Sequence, residues 1–492
     1  MTSTSSRRRL ALWVSVALAS SALACADRNV GQAVPGDQLY FPVGIQTLGS
    51  TSAASGQRLA ILSTNFDLRY QSGQVSLLDA DALLDGVLAG LGVEASDDAC
   101  QASSRPLFSE TFEIGASPVV LSRVRVPGVG NGITRVPVTT EEDRLYVVDR
   151  LGSTMILVER IGDGLRCATG GEIIDNTDCD EAHLTYTQAE EPLGMAYGAS
   201  TGGRPVVAVA HSYAHTFFDD AFTYGIVTVF DEQLLADKAA GGAASEPFVG
   251  DIALSRAAGM VGLAYVNRAR PSLLAMPLAA AGRFELSSLG LVSPSADTNG
   301  IYVVPDEVLR LDSYANAFGG RGMAVTPDGA RAVLSLRFGT AGIASNSGIS
   351  VVGVDEDELE PYPVAEVGEE IGPPALRPVV GDEPLLAYVG DIRSDKVFVV
   401  DVSQNIPLVA GEIIGRARRI VDGKDIEART LDAPTGFAFA RRNGKTYAFV
   451  TNFSNSTLAV LDVSSRLPSQ HCLIARIGRD SDPNGQSEEE RD

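Results

Sequence analysis

The sequence predicts an all-β fold, a β-propeller of about seven four-stranded antiparallel blades, from three observations. Runs of apolar and β-branched residues alternate with period two. Polar turns rich in Gly, Asn, Asp and Pro separate those runs, as in the hairpin "YAFVTNFSNSTLAVLDV" at 447–463. The same order of strands and turns then recurs along most of the 492 residues.

In chain order, the first element is an export signal over residues 1–24. Arg7, Arg8 and Arg9 precede an uncharged stretch from Leu10 that closes on Ala22-Leu23-Ala24-Cys25. At about 15 residues it is short for a membrane-spanning helix. The segment resembles a bacterial lipoprotein signal, which implies that Cys25 becomes the lipidated first residue of the mature chain. Ala22 stands where such signals usually carry Leu, and Ala-Leu-Ala also fits an ordinary signal-peptidase site. Ser6 to Leu10 also resembles a twin-arginine signal, which leaves the export route open. Ala26, in place of the aspartate associated with inner-membrane retention, implies an outer-membrane lipoprotein. Membrane contact would then pass through the lipid anchor alone. Residues 25–37 read as a tether.

Once the signal is removed, 36 basic residues face 62 acidic ones, a formal charge of −26. Nucleic acid and anionic headgroups are repelled by such a surface and are excluded as partners. Cys100, Cys167, Cys179 and Cys472 remain, an even number in an exported chain, which favours disulfides. Four cysteines allow three pairings. Cys167 and Cys179 bracket "ATGGEIIDNTD" and suit a local staple, which leaves Cys100 with Cys472 by elimination. No CxxC or CxxCH occurs, so neither a zinc ribbon nor covalent haem is supported.

The repeats occupy the span 38–478. The longest copies are "APTGFAFARRNGKTYAFVTNFSNSTLAVLDV" (433–463), "GRGMAVTPDGARAVLSLRFGTAGIASNSGISVVGVD" (320–355) and "PLGMAYGASTGGRPVVAVAHSYAHTFFDDAFTYGIVTVFD" (192–231). Shorter copies lie at 58–79, 144–159, 384–402 and 261–278. One such meander cannot bury its apolar face, whereas seven arranged radially bury all of them and leave only short edges. Closure suggests that 38–45 and 471–478 complete one shared blade, with a Cys100–Cys472 bond reinforcing the seam. Asp-capped helices are expected at 79–91 and 231–240. Residues 479–492 read as a disordered acidic tail.

Pro434-x-Gly436, Asn443-Gly444, Phe449-Val450-Thr451-Asn452 and Ser456-Thr457-Leu458-Ala459-Val460-Leu461-Asp462 resemble the YVTN-type propeller repeat. That repeat occurs in bacterial surface and periplasmic proteins and is related to lactonase-like and quinoprotein-dehydrogenase-like propellers. The resemblance implies a fold rather than a chemistry, because these residues build strands and turns.

Aligning the units on the end of their second strand brings Asn65, Asp149, His211, Asn267, Arg337, Asp391 and Asn452 to one face as a candidate ligand rim. Asn and Asp at a strand end also serve to start the following turn. His211 and Arg337 depart from that chemistry. His211 opens "HSYAHTFFDDAFTYG", where His215, Asp219 and Asp220 add donors suited to a divalent metal. An HxxxH spacing aligns both rings on a helix, yet this segment follows a strand and lacks the glutamate of HExxH. Its aromatics offer a packing or recognition surface instead. Nucleophilic catalysis has no G-x-S-x-G elbow. The glycine-rich runs at 128–135 and 318–322 lack the following helix of a phosphate cradle. The acidic runs at 355–360 and 141–144 read as exposed turns, with calcium binding as the alternative.

These observations predict a non-enzymatic binding or scaffolding module of the cell envelope, with no cofactor, whose partner is an envelope protein or a small polar ligand. The alternatives are a metal-dependent lactonase-like hydrolase and a periplasmic redox subunit.

Overall fold

In the computed structural model, the described residues are 38–478, apart from 50–55, 66–71, 94–98, 103–105, 115–118, 129, 151–153, 169–176, 180–183, 187–190, 217–222, 242–246, 255–259, 279–283, 294–299, 313–316, 341–342, 355–357 and 422–423. The signal segment, Cys25, the tether and the acidic tail lie outside them.

Seven antiparallel sheets follow one another along the chain, and each predicted unit falls within one blade, supplying its second and third strands in every blade except blade 4, where it supplies the first and second. Their innermost strands are Pro42–Leu48, Gly130–Pro137, Pro192–Ala199, Met260–Val266, Ala317–Val325, Ala375–Leu376 and Pro434–Arg442, in blades 1 to 7. Each inner strand opens a meander that runs outward, so a blade needs only sequence neighbours.

The period-two pattern explains the closure. In blade 7, Tyr447 and Phe449 pack with Leu59 and Ile61 of blade 1, whereas Ala448 and Val450 pack with Tyr388 and Val399 of blade 6. Alternate residues of one strand therefore feed two different inter-blade cores. Corresponding clusters join blades 1 to 2, 2 to 3, 3 to 4, 4 to 5 and 5 to 6. The ring is complete, and central strands such as Thr457–Asp462 are buried on both faces. Burying both faces is what makes those strands near-continuous apolar runs.

Five of the seven inner strands carry a bulge two residues before a fixed glycine, as at Pro192/Gly194 and Pro434/Gly436. Blade 5 carries one at Gly320/Gly322 as well as another at Ala317/Gly319. The glycine permits close approach of the next blade. A Cβ on Gly194 would lie 2.7 Å from the Val261 carbonyl oxygen.

The predicted shared blade does not form. Pro42–Leu48 is the innermost strand of blade 1 and Cys472–Ile477 the outermost of blade 7, in separate sheets. Each terminal unit holds enough strand-forming sequence for its own four strands, so no exchange is needed. The ends are joined by other means. Phe41 N donates to Ser456 Oγ (3.0 Å), Thr47 Oγ1 to the Phe439 carbonyl (2.8 Å) and Arg441 N to Gln57 Oε1 (2.6 Å). Leu107–Ser109 adds in parallel to the outer edge of blade 7, and the Cys100–Cys472 disulfide locks it there.

The second disulfide, Cys167–Cys179, is the local staple the sequence predicts. It binds blade 2 to the outer edge of blade 1, where Thr177–Asp178 pairs with Val120–Val126 and Cys179 N donates to the Arg125 carbonyl. Both expected helices are present, at Ala80–Gly90 and Glu232–Ala239. Asp79 and Asp231 cap them by accepting from first-turn N–H groups.

Candidate functional site

The bulge on each inner strand pairs with the end of the second strand, and this fixes where the rim residues lie. Asp149 faces Gly130, His211 faces Pro192, Asn452 faces Pro434, and Asp391 bridges to Ile371. Asn65 follows two residues after the corresponding Ser63, and Arg337 pairs with Gly319 in blade 5. These six share one end of the wheel. Asn267 does not join them. It is exposed in the turn after Met260–Val266, which is the first strand of blade 4, and the second strand ends at Pro277 instead.

Most of these groups are buried and bonded within the protein. Asn452 Nδ2 donates to the Thr430 carbonyl (2.9 Å) and to Thr457 Oγ1 (3.0 Å), which ties the entry to blade 7 to its second turn. His211 is fully buried, with Nε2 2.9 Å from Thr228 Oγ1 on the third strand of its blade. His215 lies on the same extended strand, Pro205–Thr216, across a register shift. In an extended strand, residues four apart stand about 13 Å from each other, so the helical geometry of an HxxxH pair does not apply. Asp219 and Asp220 fall outside the described residues. Among the described residues, no group of three or more His, Cys, Asp or Glu is placed to hold a metal ion.

Asp391 does more than end a strand. Its carboxylate accepts from the backbone N–H of Glu369 (3.0 Å), Glu370 (3.3 Å), Arg393 (3.0 Å) and Ser394 (3.4 Å), and from Ser394 Oγ (2.7 Å). Burial opposes its ionisation, but the Ser394 hydroxyl and these N–H groups outweigh burial and hold the carboxyl below its ordinary value. Gly368, at φ +64°, makes room for it, since a Cβ there would lie 2.5 Å from Asp391 Oδ2.

Asp391 thereby fixes Glu370, and Glu370 gathers arginines. Its carboxylate pairs with the Arg321 guanidinium from blade 5 and with Arg393 Nε at 3.1 Å. Arg337 stands beside them, its Cζ 5.5 Å from the centroid of the Phe318 ring, a cation–π contact. The Nε atoms of Arg321 and Arg337 are both buried and make no hydrogen bond to the described residues. Burial, and next the charge of Arg337, lower the affinity of Arg321 for its proton, with Glu370 opposing them. The junction of blades 5 and 6 thus brings two arginines close enough to repel, with one carboxylate on hand to offset them.

Arg321, Glu370, Arg393 and Phe318 are absent from the sequence-derived rim. For Arg321 a signal was there to read. Between the bulge residue and the fixed glycine, blades 1, 2, 3, 4 and 7 carry the uncharged Val43, Asn131, Leu193, Val261 and Thr435, and blade 5 carries an arginine. No signal marks Glu370, because blade 6 departs from the repeat at this point, reading Ile371-Gly372-Pro373.

No family model and no curated protein matches the chain. Solved structures similar to it include a functionally unknown protein from Desulfotomaculum acetoxidans DSM 771, at 11% identity over 82% of this chain and 96% of that one, with a TM-score of 0.45. The WD40 domain of Toxoplasma gondii coronin is similar at 10% identity over 88% and 86%, with a TM-score of 0.40. A periplasmic gluconolactonase of Pseudomonas aeruginosa is similar at 12% identity over 71% and 97%, with a TM-score of 0.33.

Proposed function

We propose that this chain is an exported, lipid-anchored β-propeller that serves as a binding module of the cell envelope. The observation that carries this reading is the way the polar end of the wheel is held. Asp391 and Asn452 spend their hydrogen-bonding capacity on the backbones of neighbouring loops, so that end is a pre-ordered surface. Pre-ordering lowers the entropic cost of association and suits recognition. The lipobox-like Cys25 and the two disulfides, which persist in oxidising compartments, support an envelope location. The similarity of the last repeats to those of surface and periplasmic propellers supports the same reading.

The anchor is tested by metabolic labelling with a radioactive fatty acid, which should label the protein and fail on Cys25→Ala. The role is tested by affinity capture from envelope extracts, with metal analysis of the purified protein alongside. A specific partner or ligand retained without metal supports a binding module. A stoichiometric divalent ion together with lactone turnover would overturn it in favour of a hydrolase.

A further inference from the structure

We propose that the junction of blades 5 and 6 binds a small oxyanion, a carboxylate or a phosphate carried by a soluble ligand, with Arg337 and Arg321 as the residues that take it. This rests on reading the protein as a binding module and gives that module a ligand class.

The guanidiniums of Arg321 and Arg393 share a single carboxylate, Glu370, and Arg337 lies near enough to Arg321 to repel it, in a chain whose formal charge is −23. The nearby Asp391 does not supply a second one, because its oxygens are occupied by four N–H groups and a hydroxyl. Among the described residues no carboxylate pairs with Arg337. Its guanidinium instead lies over the face of Phe318, which offers no acceptor to its N–H groups. Burying part of a guanidinium without an acceptor is costly, and a chain with 62 acidic residues had partners to choose from. Repulsion between Arg321 and Arg337 adds to that cost. A bound anion offsets both, and the planar fork of an arginine matches a carboxylate or phosphate better than any neutral group.

A second feature stands at the same end. A hairpin, Arg416–Val421 with Lys424–Arg429, is inserted between blades 6 and 7. From 416 to 429 it carries five basic residues and three acidic ones. Its base is fastened to the turn that bears Arg393, where Gly415 N donates to the Asp395 carbonyl at 3.0 Å. The Arg321 side chain is only 26% exposed while that of Arg393 is 60% exposed, so a ligand that reaches Arg321 must be small.

Thermal unfolding of the full purified protein, titrated with citrate and separately with inorganic phosphate at constant ionic strength against chloride, tests this. A saturable rise in Tm with either anion is expected, and the responding anion identifies the class. Arg337→Met should keep the anion-free Tm and weaken binding by at least about tenfold. Arg337→Lys, which keeps the charge without the fork, should fall between. No saturable rise with either anion, or a rise undiminished in Arg337→Met, overturns the proposal. The two readings fail separately. Metal and lactone turnover would remove the binding module yet leave an Arg337-dependent anion shift standing, whereas a flat titration beside a captured partner does the reverse.

Discussion

The junction between blades 7 and 1 and the junction between blades 5 and 6 are built from the same inter-blade packing, but their polar groups are used differently. At the first, the chain is not continuous, so only non-covalent contacts and one disulfide keep the wheel shut. There the polar groups are spent across the gap. Phe41 bonds Ser456, Thr47 bonds Phe439, Gln57 bonds Arg441, and Arg442 forks onto Asp85. At the second, the chain itself runs from one blade into the next, and holding them together asks nothing extra of side chains. Yet this is where guanidiniums outnumber the carboxylate that pairs with them. Charge left over where the fold does not need it calls for a reason outside the fold.

The largest effect should come from opening the first junction. Cys100 and Cys472 are 372 residues apart, so reducing that bond frees far more chain entropy in the unfolded state than the 12-residue Cys167–Cys179 loop does. Replacing both Cys100 and Cys472 with Ser should cost up to about 6 kcal/mol, against about 3 kcal/mol for Cys167 and Cys179. Calorimetry of the two double variants compares them directly. Equal losses would mean that the hydrogen bonds close the wheel unaided.

Next in size is Asp391→Ala, on the other side of the comparison. It deprives four N–H groups of an ionised acceptor and should cost about 3 kcal/mol in chemical denaturation. Because Glu370 is positioned by those same bonds, this variant should also lose the anion response.

Lowering the pH should have a smaller effect. His471, next in sequence to Cys472, joins blade 6 to blade 7, accepting from Tyr388 OH at Nδ1 (2.9 Å) and bonding the Ser465 carbonyl through Nε2 (2.8 Å). Burial, and secondarily the Arg377 charge, hold its pKa below the ordinary value, against the Ser465 bond and Asp462. The unfolded chain then takes up a proton first, so this contribution is complete above about pH 6.5 and declines as the pH falls toward the folded value. Asp391 is also depressed, but from the carboxylate range, so its contribution persists until the pH falls below about 4 and is lost as the pH passes through the folded value. Stability measured against pH should fall in two steps. His471→Gln removes the upper step and Asp391→Asn the lower one.

Much of the wheel was legible because a period of two is strict and the turns between strands carry Gly, Asn and Asp. Blades 5 to 7 keep Asp328-Gly329, Asp391 and Asn452 as markers. Blade 4 lacks them, and there the strand order slips. "VGLAYVNRARPSLLAMPL" offers two apolar runs and a polar loop, and nothing local says whether they are strands one and two or two and three. Asn267 therefore lies at the opposite end from the one the repeat alignment predicts. The seam has a different origin, since whether a terminal blade is shared depends on the strand count of the whole ring, which no local segment carries. Of the site, Arg337 was visible as an arginine in a turn-former's place. Glu370 was not, because its pairing with Arg321 joins two blades and is set by Asp391 from a third segment, 21 residues further along.

The smallest effect on stability should come from Arg337→Met, and its smallness is the informative outcome. Methionine covers the Phe318 ring as well as the arginine stem does and favours aromatic contact. What is lost is a cation–π contact worth about 0.5–1 kcal/mol at such a site. What is gained is relief of repulsion with Arg321 and of an unpartnered buried Nε. The two nearly cancel, so unfolding without added anion should shift by less than about 0.5 kcal/mol in either direction. An arginine that does structural work, as Arg377 does by donating to the Val463 carbonyl at 2.7 Å between blades 6 and 7, should instead cost several times as much. If Arg337→Met proved as damaging as Arg377→Met, the surplus charge between blades 5 and 6 would belong to the fold after all, and the contrast with the seam would disappear.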